Sequence, residues 1–353
     1  MKICHWLAGL AAIAVLLAGC GEGSKVADAE TSAPKTPEIG SAGHEVLQRA
    51  KCQSPARGVL RVSLNSRVGP DNVAAWVARR RGFFSDAGVQ TRVLSPIVPN
   101  RPVRYLTLRV DDVAFAQAPQ AVIAKTAGAP LVVLGSVISQ STAAMIWLKS
   151  SGIESVADLE GKTIAYPGVP FQEALLKTIL ARVGLSLTDV KLEAVGYRLV
   201  PTLLSGEADA IFGGSWNIEG KTLEVRGADP VVKRVGTLGV PGYQELVVVA
   251  QRNCAARYPR VYRDFMAALT RAVVAIRRNP GLATRQIREI GERNPELKPP
   301  EIKAQVSATL PLLARNPRLD LGQAAQLTKW MDQNGLIEGE SSTSGLFNNA
   351  YLP

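Results

Sequence analysis

Histidine is almost absent from this sequence, and its scarcity limits the chemistry that the chain can perform. The 353 residues include two histidines, His5 and His44, and both precede the segment that we expect to fold, which begins near residue 57. A folded body without histidine contains no Ser-His-Asp triad, no histidine-ligated metal site and no histidine general base. We therefore predict no catalytic residues, no metal site and no cofactor.

Long hydrophobic runs are also scarce. One apolar segment, residues 6–19, is short for a membrane-spanning helix and ends in the sequence Leu17-Ala18-Gly19-Cys20. This ending resembles a bacterial lipobox, in which the cysteine is lipidated and becomes the mature N-terminus. We predict a lipoprotein signal peptide over residues 1–20 and attachment to the membrane through a lipid on Cys20. An ordinary secretory signal with a chance cysteine is the alternative.

Cysteine is rare, and two of its four positions belong to the N-terminal segment. Cys4 lies in the predicted signal peptide and Cys20 carries the predicted lipid, which leaves Cys52 and Cys254. Residues 21–56 are rich in small and polar residues and predict a flexible tether. Because disulfides persist outside the cytoplasm, we predict a bond between Cys52 and Cys254, with two free thiols as the alternative.

Acidic side chains are outnumbered by basic ones. The chain has 41 Lys and Arg against 30 Asp and Glu, a net charge of +11. A basic surface suits nucleic acid or an anionic membrane surface. Since the predicted signal peptide directs the chain out of the cytoplasm, we expect no nucleic-acid partner and interpret the charge as a solvated face near the membrane. The predicted location is extracytoplasmic, lipid-anchored at the cell surface or in the periplasm.

Hydrophobic patterning predicts that strands and helices alternate after residue 57. Short β-branched runs predict strands, and proline and glycine mark the starts and ends of the helices between them. The predicted strands are residues 58–64, 89–94, 110–116, 130–138, 162–166, 190–195, 208–213, 231–235 and 245–250. This alternation is typical of an α/β protein with a parallel sheet.

The order of the elements predicts two α/β lobes with a cleft between them. Residues 57–142 and 246–340 are expected to form lobe 1, which ends in amphipathic helices that begin at Tyr258. Residues 143–245 form the predicted lobe 2, and residues 341–353 a C-terminal tail. The chain would cross between the lobes twice, at hinges, and ligands of such sheets lie beyond the carboxyl ends of the strands.

One predicted strand end carries polar and aromatic residues typical of a ligand site. In the stretch "ADAIFGGSWNIEGK", the candidate ligand-binding residues are Gly214, Trp216, Asn217 and Glu219. The glycine pair would let the backbone approach a ligand, and Trp216 would stack on a ring. The Glu219 carboxylate would accept hydrogen bonds from an amine and a protonated ring nitrogen together. Three of the four have a structural alternative: Trp216 in the core, Asn217 as a helix cap and Glu219 beside a helix dipole.

Three further segments supply candidate ligand contacts. The turn over residues 166–172 exposes backbone N–H groups ahead of a helix. The two crossings carry polar side chains for which hinge packing is the alternative. The candidate residues in these segments are Gly168, Val169, Pro170, Phe171, Gln140, Ser141 and Tyr243.

Several stretches of this sequence resemble bacterial solute-binding proteins of ABC importers. One stretch of this chain resembles the second-lobe entry of those proteins, and it reads "SSGIESVADLEGKTIAYPGVPFQEALLKTILARVGL". Their thiamine-pyrimidine-precursor-binding branch, the NMT1/THI5-like family, is similar to "LLSGEADAIFGGSWNIEG" followed by "LGVPGYQELVVVA". The resemblance runs from about residue 58 to residue 290. It implies a type II periplasmic-binding-protein fold with a closing cleft, and delivery of solute to an ABC permease with a separate ATPase.

The resemblance also implies ligand contacts in the loop after the first strand. That loop carries Asn65, Ser66, Arg67 and Asn72, and a later turn carries Gln117. Ser66 stands where the family has an aromatic residue, Asn72 where it has a histidine, and Gln117 where it has a second aromatic residue. Arg67 would bind an anionic group of a ligand or would simply be solvated.

We therefore predict a monomeric, lipid-anchored substrate-binding component of an ABC importer. It would capture a small heteroaromatic solute of the thiamine pyrimidine precursor type by cleft closure. Riboflavin-like flavins and alkanesulfonates or other anionic solutes are the nearest alternatives. Glu219 would repel a sulfonate, and a flavin needs more aromatic surface than five tryptophans obviously offer.

We predict that the chain is not an enzyme. The related pyrimidine synthases use a cysteine-rich run and a histidine, and residues 57–353 contain neither. An exported enzyme on the same scaffold, with Asp209 and Glu219 as an acid–base pair, is an alternative. A signalling or adhesive lipoprotein that has lost its ligand is another.

Overall fold

The structure is a computed structural model, and the residues that it describes are Cys52, 59–96, 101–291, 298–339 and 343–353. The predicted signal peptide, the lipidation site Cys20 and all of the predicted tether except Cys52 lie outside the described residues. Within the described ranges, no helix combines the length and the hydropathy that crossing a membrane requires.

Five strands form the first sheet, in the order β2-β1-β3-β10-β4. These strands are β1 Leu60–Ser63, β2 Thr91–Leu94, β3 Val113–Gln117, β4 Leu131–Ile138 and β10 Leu246–Gln251. β1 pairs in parallel with β2 and β3, whereas β10 is antiparallel to β3 and β4. Every residue of β4 and β10 is buried, because alternate side chains face two apolar clusters on opposite sides of the sheet.

Five more strands form the second sheet, in the order β7-β6-β8-β5-β9. They are β5 Ala143–Leu148, β6 Thr163–Tyr166, β7 Lys191–Ala194, β8 Ala210–Ser215 and β9 Pro230–Arg234. β6 is parallel to β7 and β8, and β5 is antiparallel to β8 and β9. The expectation of parallel sheets is therefore wrong for β5 and β10. These are the two strands that the chain enters directly from the other sheet, and each runs against its neighbours.

Helices cover the sheets and fill the C-terminal third of the chain. The helices are Val73–Arg80, Phe83–Asp86, Arg101–Thr107, Ala118–Thr126, Pro170–Ala181, Leu199–Ser205, Lys221–Val225, Arg252–Arg257, Pro259–Arg278, Gly281–Gly291, Pro299–Thr309 and Leu321–Gln333. A π-turn, Trp216–Gly220, precedes Lys221–Val225. Several helices begin with proline in the first turn, where its missing N–H has no helical partner.

The helix Pro259–Arg278 carries the apolar stripe that its sequence predicts. The stripe residues Phe265, Leu269, Val273 and Ile276 are buried, whereas Val261 near the helix start is half-buried. Phe265 stacks on Phe84 with ring centroids 4.9 Å apart, and arginines occupy much of the opposite face. This packing fixes the helix to the first sheet and its N-terminal helices.

The chain passes between the sheets at residues 139–142 and 235–245. Glu245, at the end of the second crossing, is buried. Its Oε2 accepts hydrogen bonds from the backbone N–H of Thr142, at 2.9 Å, and from the hydroxyl of Ser141, at 3.3 Å. Since a hydrogen bond to a carboxylate is stronger than one between neutral groups, this contact ties the two crossings together.

A polar ladder joins the helix Pro299–Thr309 to the segment after β8. Glu301, Gln305 and Thr309 repeat every four residues and so share one face of that helix. Their partners, at 2.9, 2.8 and 2.7 Å, are Arg226, Thr222 and Asn217. Hydrogen bonds in the π-turn span one residue more than in an α-helix, which brings Asn217 and Thr222, five residues apart, to the same face.

Two contacts fix the ends of the folded body. A disulfide bond joins Cys52 to Cys254 in the helix Arg252–Arg257. Part of the segment predicted as a C-terminal tail packs on the first sheet, because Phe347 forms a bridge with Val133 and Tyr351 is buried in the core cluster.

Candidate ligand-binding site

A cavity of about 480 Å³ lies where loops of the two sheets meet. This volume is in the range of natural pockets for small ligands. The segments that contribute to its walls are residues 65–71, 117–120, 167–172, 196–201, 213–222 and 298–305, with Thr142 and Glu245 from the crossings. Both sheets therefore contribute to one site.

The loop after β1 is held in place by Asn72. The side chain of Asn72 is fully buried, and its Nδ2 contacts Asn65 Oδ1 at 3.0 Å, Ser66 Oγ at 3.1 Å and the Arg67 carbonyl at 3.0 Å. Its Oδ1 accepts the backbone N–H of Gly69 at 3.0 Å. Asn72 thus shapes the loop from behind, while Asn65, Ser66 and Arg67 line the cavity.

Asp71 adds a carboxyl group to the same loop. Its Oδ2 accepts a hydrogen bond from Asn65 Nδ2 at 3.0 Å. Its Oδ1 is buried and has no hydrogen-bond partner among the described residues. Burial raises the pKa of Asp71, and the hydrogen bond from Asn65 opposes that effect.

Glu219 lies in the π-turn after β8 and faces the cavity from the second sheet. Its Oε2 accepts the backbone N–H of Ser215 at 2.6 Å. Burial raises the pKa of Glu219 to about 7; the bond from Ser215 opposes this effect, and the negative charge of Asp71 adds to it. Near neutral pH this carboxyl group can therefore be protonated or ionised. When protonated it offers one O–H donor and one acceptor oxygen, and when ionised it offers two acceptor oxygens.

The glycine pair before Glu219 makes room for neighbouring side chains. A Cβ on Gly213 would lie 2.5 Å from Gln172 Nε2, and Gly213 has φ of +79°. A Cβ on Gly214 would lie 3.2 Å from Glu219 Cγ. Gln172 and Glu219 therefore pack closely against the two glycines, and Gly213 also lines the cavity.

Arg67 and Tyr197 meet across the cavity. The guanidinium carbon of Arg67, from the first-sheet loop, lies 5.1 Å from the centre of the Tyr197 ring, which follows β7 of the second sheet. Burial raises the pKa of Tyr197 to about 12, while the nearby charge of Arg67 lowers it. A cation over an aromatic face is attractive, so this contact links the two sheets at the wall of the site.

Six of the residues predicted from sequence line the cavity. They are Asn65, Ser66, Arg67, Gln117, Val169 and Glu219. The other predicted residues lie outside its lining, and these are Asn72, Gln140, Ser141, Gly168, Pro170, Phe171, Gly214, Trp216, Asn217 and Tyr243.

Packing explains why several of these side chains do not reach the cavity. Trp216 packs beside the apolar clusters, and Arg234 covers its ring at 3.9 Å. Asn217 neither caps the helix nor faces the cavity, because its amide donates to Thr309. Phe171 and Tyr243 are almost fully buried in an apolar cluster.

The cavity also contains residues that the sequence analysis did not select. The polar ones among them are Asp71, Gln120, Thr142, Gln172, Tyr197, Ser215, Thr222, Arg226, Glu245, Lys298, Glu301 and Gln305. Thr142 and Glu245 stand beside predicted residues at the crossings, and their position there was the available signal. Tyr197 and the residues of helix Pro299–Thr309 reach the site through tertiary packing, which leaves no local pattern in the sequence.

The site is suited to binding polar ligands. Among the described residues there is no group of three or more His, Cys, Asp and Glu side chains placed to hold a metal ion. Asp209, the proposed acid–base partner of Glu219, does not line the cavity and instead accepts the backbone N–H of Thr163 at 2.8 Å. The structure therefore does not bring that pair of carboxyl groups together.

This chain is similar in sequence to several known proteins. The model of the family described as NMT1/THI5 like matches residues 70–283. A Haemophilus influenzae protein named for thiamine biosynthesis is 32% identical over 283 residues, which cover 80% of this chain and 89% of that protein. The formylaminopyrimidine-binding protein of Halalkalibacterium halodurans is 29% identical over 241 residues, which cover 67% of this chain and 73% of that protein.

More distant relatives include proteins named as enzymes. One is the 4-amino-5-hydroxymethyl-2-methylpyrimidine phosphate synthase of Legionella pneumophila, 23% identical over 82% of this chain and 91% of that protein. Names among the relatives therefore cover both a binding protein and synthases.

Solved structures with similar architecture show the fold. The alkanesulfonate-binding protein of Xanthomonas axonopodis pv. citri superimposes with a TM-score of 0.66 at 17% identity, over 82% of this chain and 97% of that protein. A Candida albicans protein described as having the periplasmic binding protein fold superimposes with a TM-score of 0.63 at 14% identity, over 84% of this chain and 98% of that protein. The chain thus has the periplasmic binding protein fold, as its sequence predicts.

Proposed function

Because the chain belongs to the NMT1/THI5-like family, we propose that it is the substrate-binding component of an ABC importer for a small aminopyrimidine of the thiamine-precursor type. The observation that carries this proposal is the position of Glu219, a half-buried residue whose carboxyl group lies on the wall of a cavity formed by both sheets. The name of the formylaminopyrimidine-binding relative supports the same ligand class.

Glu219 matches the edge of an aminopyrimidine. Such a ring presents an exocyclic amine, which donates, beside a ring nitrogen, which accepts when neutral and donates when protonated. A carboxyl group with a pKa of about 7 pairs with the neutral ring in its protonated form and with the protonated ring in its ionised form. One proton shared between Glu219 and the ring nitrogen thus gives two parallel hydrogen bonds in either case.

Tyr197 is suited to hold the face of the ring. The family aromatics that are absent at Ser66 and Gln117 leave this cavity without their ring surfaces, and Tyr197 lines the same cavity. Its hydroxyl is buried and has no hydrogen-bond partner among the described residues. A tyrosine ring packs on a heteroaromatic ring while its hydroxyl remains available to a polar substituent.

Cleft closure is proposed to occur at the two crossings. In this proposal, residues 57–142 and 246–340 move as one lobe and residues 143–245 as the other. Glu245 ties residues 139–142 to the end of the second crossing, which limits the motion to a rotation about this point. Arg67 with Tyr197 and the polar ladder link the two sides away from it.

The proposed partners follow from the proposed role. The chain would act as a monomer outside the cytoplasm, attached to the membrane through Cys20, and would deliver its ligand to a permease powered by a separate ATPase. An exported synthase is the competing function, because synthase names occur among the relatives.

Calorimetry with the purified protein tests the ligand class. We expect 4-amino-5-hydroxymethyl-2-methylpyrimidine to bind, and the Glu219→Gln variant to bind it about 1–3 kcal/mol more weakly, since a charge-assisted hydrogen bond is lost. Glu193→Gln, an exposed change on the same sheet, is the matched control.

Three results would contradict this proposal. They are binding of an alkanesulfonate in place of the pyrimidine, equal affinities of the wild-type and Glu219→Gln proteins, and chemical conversion of the bound pyrimidine. Mass spectrometry of the small molecule that copurifies with the protein gives an independent identification.

A further inference from the structure

The positive charge of this chain is concentrated in the part that builds the first sheet. Residues 57–142 and 246–340, which contain all five strands of that sheet, carry 26 Lys and Arg against 13 Asp and Glu. Residues 143–245, which contain the second sheet, carry 10 Lys and Arg against 12 Asp and Glu. The excess of basic residues therefore belongs to one part of the molecule, where it attracts anionic partners.

Much of this charge lies at the edge of the first sheet opposite the cavity. The loops after β1 and β3 line the cavity, so these strands begin at the other edge, which we call the distal edge. Because β2 and β4 run in the same direction as β1 and β3, the helices that lead into β2, β3 and β4 end at the distal edge, and the antiparallel strand β10 ends there too. The basic residues that this topology places at or near the distal edge are Arg79, Arg80, Arg81, Arg104, Lys125, Arg257, Arg260 and Arg263.

Helix dipoles account for only part of this pattern. A cation is favoured in the last turn of a helix, as for Arg104 and Lys125. Arg260 and Arg263 instead lie in the first turns of the helix Pro259–Arg278, where the dipole disfavours positive charge, and both are exposed. The basic residues of the distal edge therefore need a further explanation.

Acidic residues at the distal edge leave much of this charge uncompensated. Three of them, each in an ion pair with an arginine, are Asp86, Asp112 and Asp264. A fourth, Glu289, lies in a groove with Arg79 and Arg80. The arginines that remain exposed include Arg81, Arg104 and Arg263. The distal edge thus carries a net positive charge.

The distal edge also exposes apolar side chains. Among the described residues, seven large apolar side chains are exposed, and three of them lie here. They are Val59, which precedes β1, and Leu108 and Val110, which precede β3, with exposed fractions of 53%, 46% and 42%. The pairing of β1 with β3 places Val59 and Val110 at equivalent positions, each three residues before a paired residue.

The turn that carries Leu108 and Val110 is held in place by Arg61. Arg109, between the two apolar residues, has φ of +58°, a conformation that costs free energy for a residue with a side chain. Arg61 Nη2 donates to the Arg109 carbonyl at 3.1 Å, and Arg61 Nε donates to Asp112 Oδ2 at 2.9 Å. These bonds keep the turn in the form in which both apolar side chains are exposed.

The disulfide joins the N-terminal segment to the same edge. Cys254 lies in the helix Arg252–Arg257, which directly follows the end of β10. Its partner Cys52 belongs to the predicted tether over residues 21–56, which begins after the predicted lipidation site Cys20. The predicted tether is therefore connected to the folded body at the distal edge.

We propose that the distal edge docks on an anionic phospholipid membrane, with its arginines on lipid phosphates and Val59, Leu108 and Val110 in the headgroup region. Basic residues near an anionic membrane surface and apolar side chains buried in its interface both strengthen binding. The cavity lies at the opposite edge of the sheet, so docking leaves it clear of the lipid. This inference does not depend on which ligand the cavity binds.

Sedimentation with phospholipid vesicles tests this inference. The chain of residues 21–353 contains every described residue and lacks both the predicted signal peptide and Cys20, so its binding requires no lipid anchor. We expect it to bind vesicles with about 30% phosphatidylglycerol about 10-fold or more tightly than vesicles of phosphatidylcholine alone. This binding should be lost in about 0.5 M NaCl, because salt screens exposed charges.

A pair of charge variants locates the binding to the distal edge. The test variant neutralises three exposed arginines, through Arg81→Gln, Arg104→Gln and Arg263→Gln. It should bind the anionic vesicles at least about 10-fold more weakly than the wild-type protein. The matched control removes the same charge from exposed lysines within residues 143–245, through Lys149→Gln, Lys177→Gln and Lys191→Gln. It should bind as the wild-type protein does.

A pair of apolar variants gives a second test that does not depend on the folding of the arginine variant. Leu108→Ser combined with Val110→Ser should weaken binding to the anionic vesicles about 5-fold, since less apolar surface enters the interface. Val183→Ser combined with Leu204→Ser changes two exposed apolar residues within residues 143–245 and should leave the binding unchanged.

The inference is overturned if the wild-type protein binds anionic and neutral vesicles equally, or if the arginine variant and its lysine control bind alike. Absence of binding to either kind of vesicle would also overturn it and would favour an acidic protein surface as the partner. All of these measurements are made without ligand. A protein that binds vesicles but no pyrimidine would lose the proposed ligand class and keep this docking surface.

Discussion

Glu219 titrates near neutral pH in the folded protein, because burial raises its pKa from an ordinary value of 4.5 to about 7. In the unfolded chain the same carboxyl group ionises near its ordinary value. Between these two pH values the folded protein therefore binds more protons than the unfolded chain. The stability associated with Glu219 is complete below about pH 4.5 and is lost as the pH rises through about 7.

The Glu219→Gln variant should show a weaker loss of stability between about pH 5 and pH 8, by about 1–3 kcal/mol over that interval. Urea denaturation at a series of pH values measures this difference. Burial also raises the pKa values of Asp71 and Glu245, so part of the slope should persist in the variant. Parallel curves for the variant and the wild-type protein would show that Glu219 does not carry this proton.

At single positions, the sequence predicts contacts best where a strand ends. Glu219, Ser66 and Gln117 each follow a predicted strand, and all three line the cavity, although for Ser66 and Gln117 the prediction comes from the family resemblance. Asp71 follows a proline in a loop, where aspartate is also a common turn residue, so its type carried no separate signal. Tyr197 contributes to the site because it lies beside Arg67, and the two residues come together only in the folded chain.

Among the secondary-structure elements, the polar ladder is a contact that the sequence does not predict. The sequence predicts a single helix after the strand 208–213, over residues 217–226, for which Asn217 is a possible cap, whereas the structure has a π-turn followed by the helix Lys221–Val225. The extra residue of the π-turn brings Asn217 into register with Thr309, a contact 92 positions away in the sequence. Local periodicity does not encode such a contact, so the sequence predicts the helix but not the turn that starts it.

The Thr309→Val variant should destabilise the protein by about 1–3 kcal/mol, because the buried Asn217 amide would lose its acceptor. Thr309→Ser keeps the hydroxyl and should retain most of the stability. Chemical denaturation of both variants gives the comparison. Equal stabilities of the valine and serine variants would mean that the hydroxyl of Thr309 makes no net contribution.

The disulfide acts on the whole molecule, since it joins positions 202 residues apart. A bond that closes so long a loop restricts the unfolded chain strongly, and typical native disulfides contribute about 2–4 kcal/mol. We expect the double variant Cys52→Ser and Cys254→Ser to unfold at lower denaturant concentration than the wild-type protein. The wild-type protein under reducing conditions is the control and should match the double variant. A midpoint that is unchanged in both cases would contradict this expectation.

For the whole molecule, the alternation of strands and helices predicts the two-sheet fold because each strand carries its own hydrophobic signal. The direction of a strand carries no such signal. β5 and β10 have the same apolar composition as buried parallel strands, and they run antiparallel because of where the chain enters each sheet. The sequence therefore predicts the layers of the fold, whereas the pairing within each layer depends on the route of the chain.

The position of β10 also governs the order in which the protein can be assembled. β10 lies between β3 and β4 and pairs with both, yet more than a hundred residues separate it from β4 in the sequence. During synthesis, β3 and β4 emerge with facing edges that have no partner until residues 246–251 arrive. Pairings so distant in sequence form slowly, and open strand edges favour aggregation. A nascent chain that stops before Leu246 can complete its second sheet but leaves the first sheet divided.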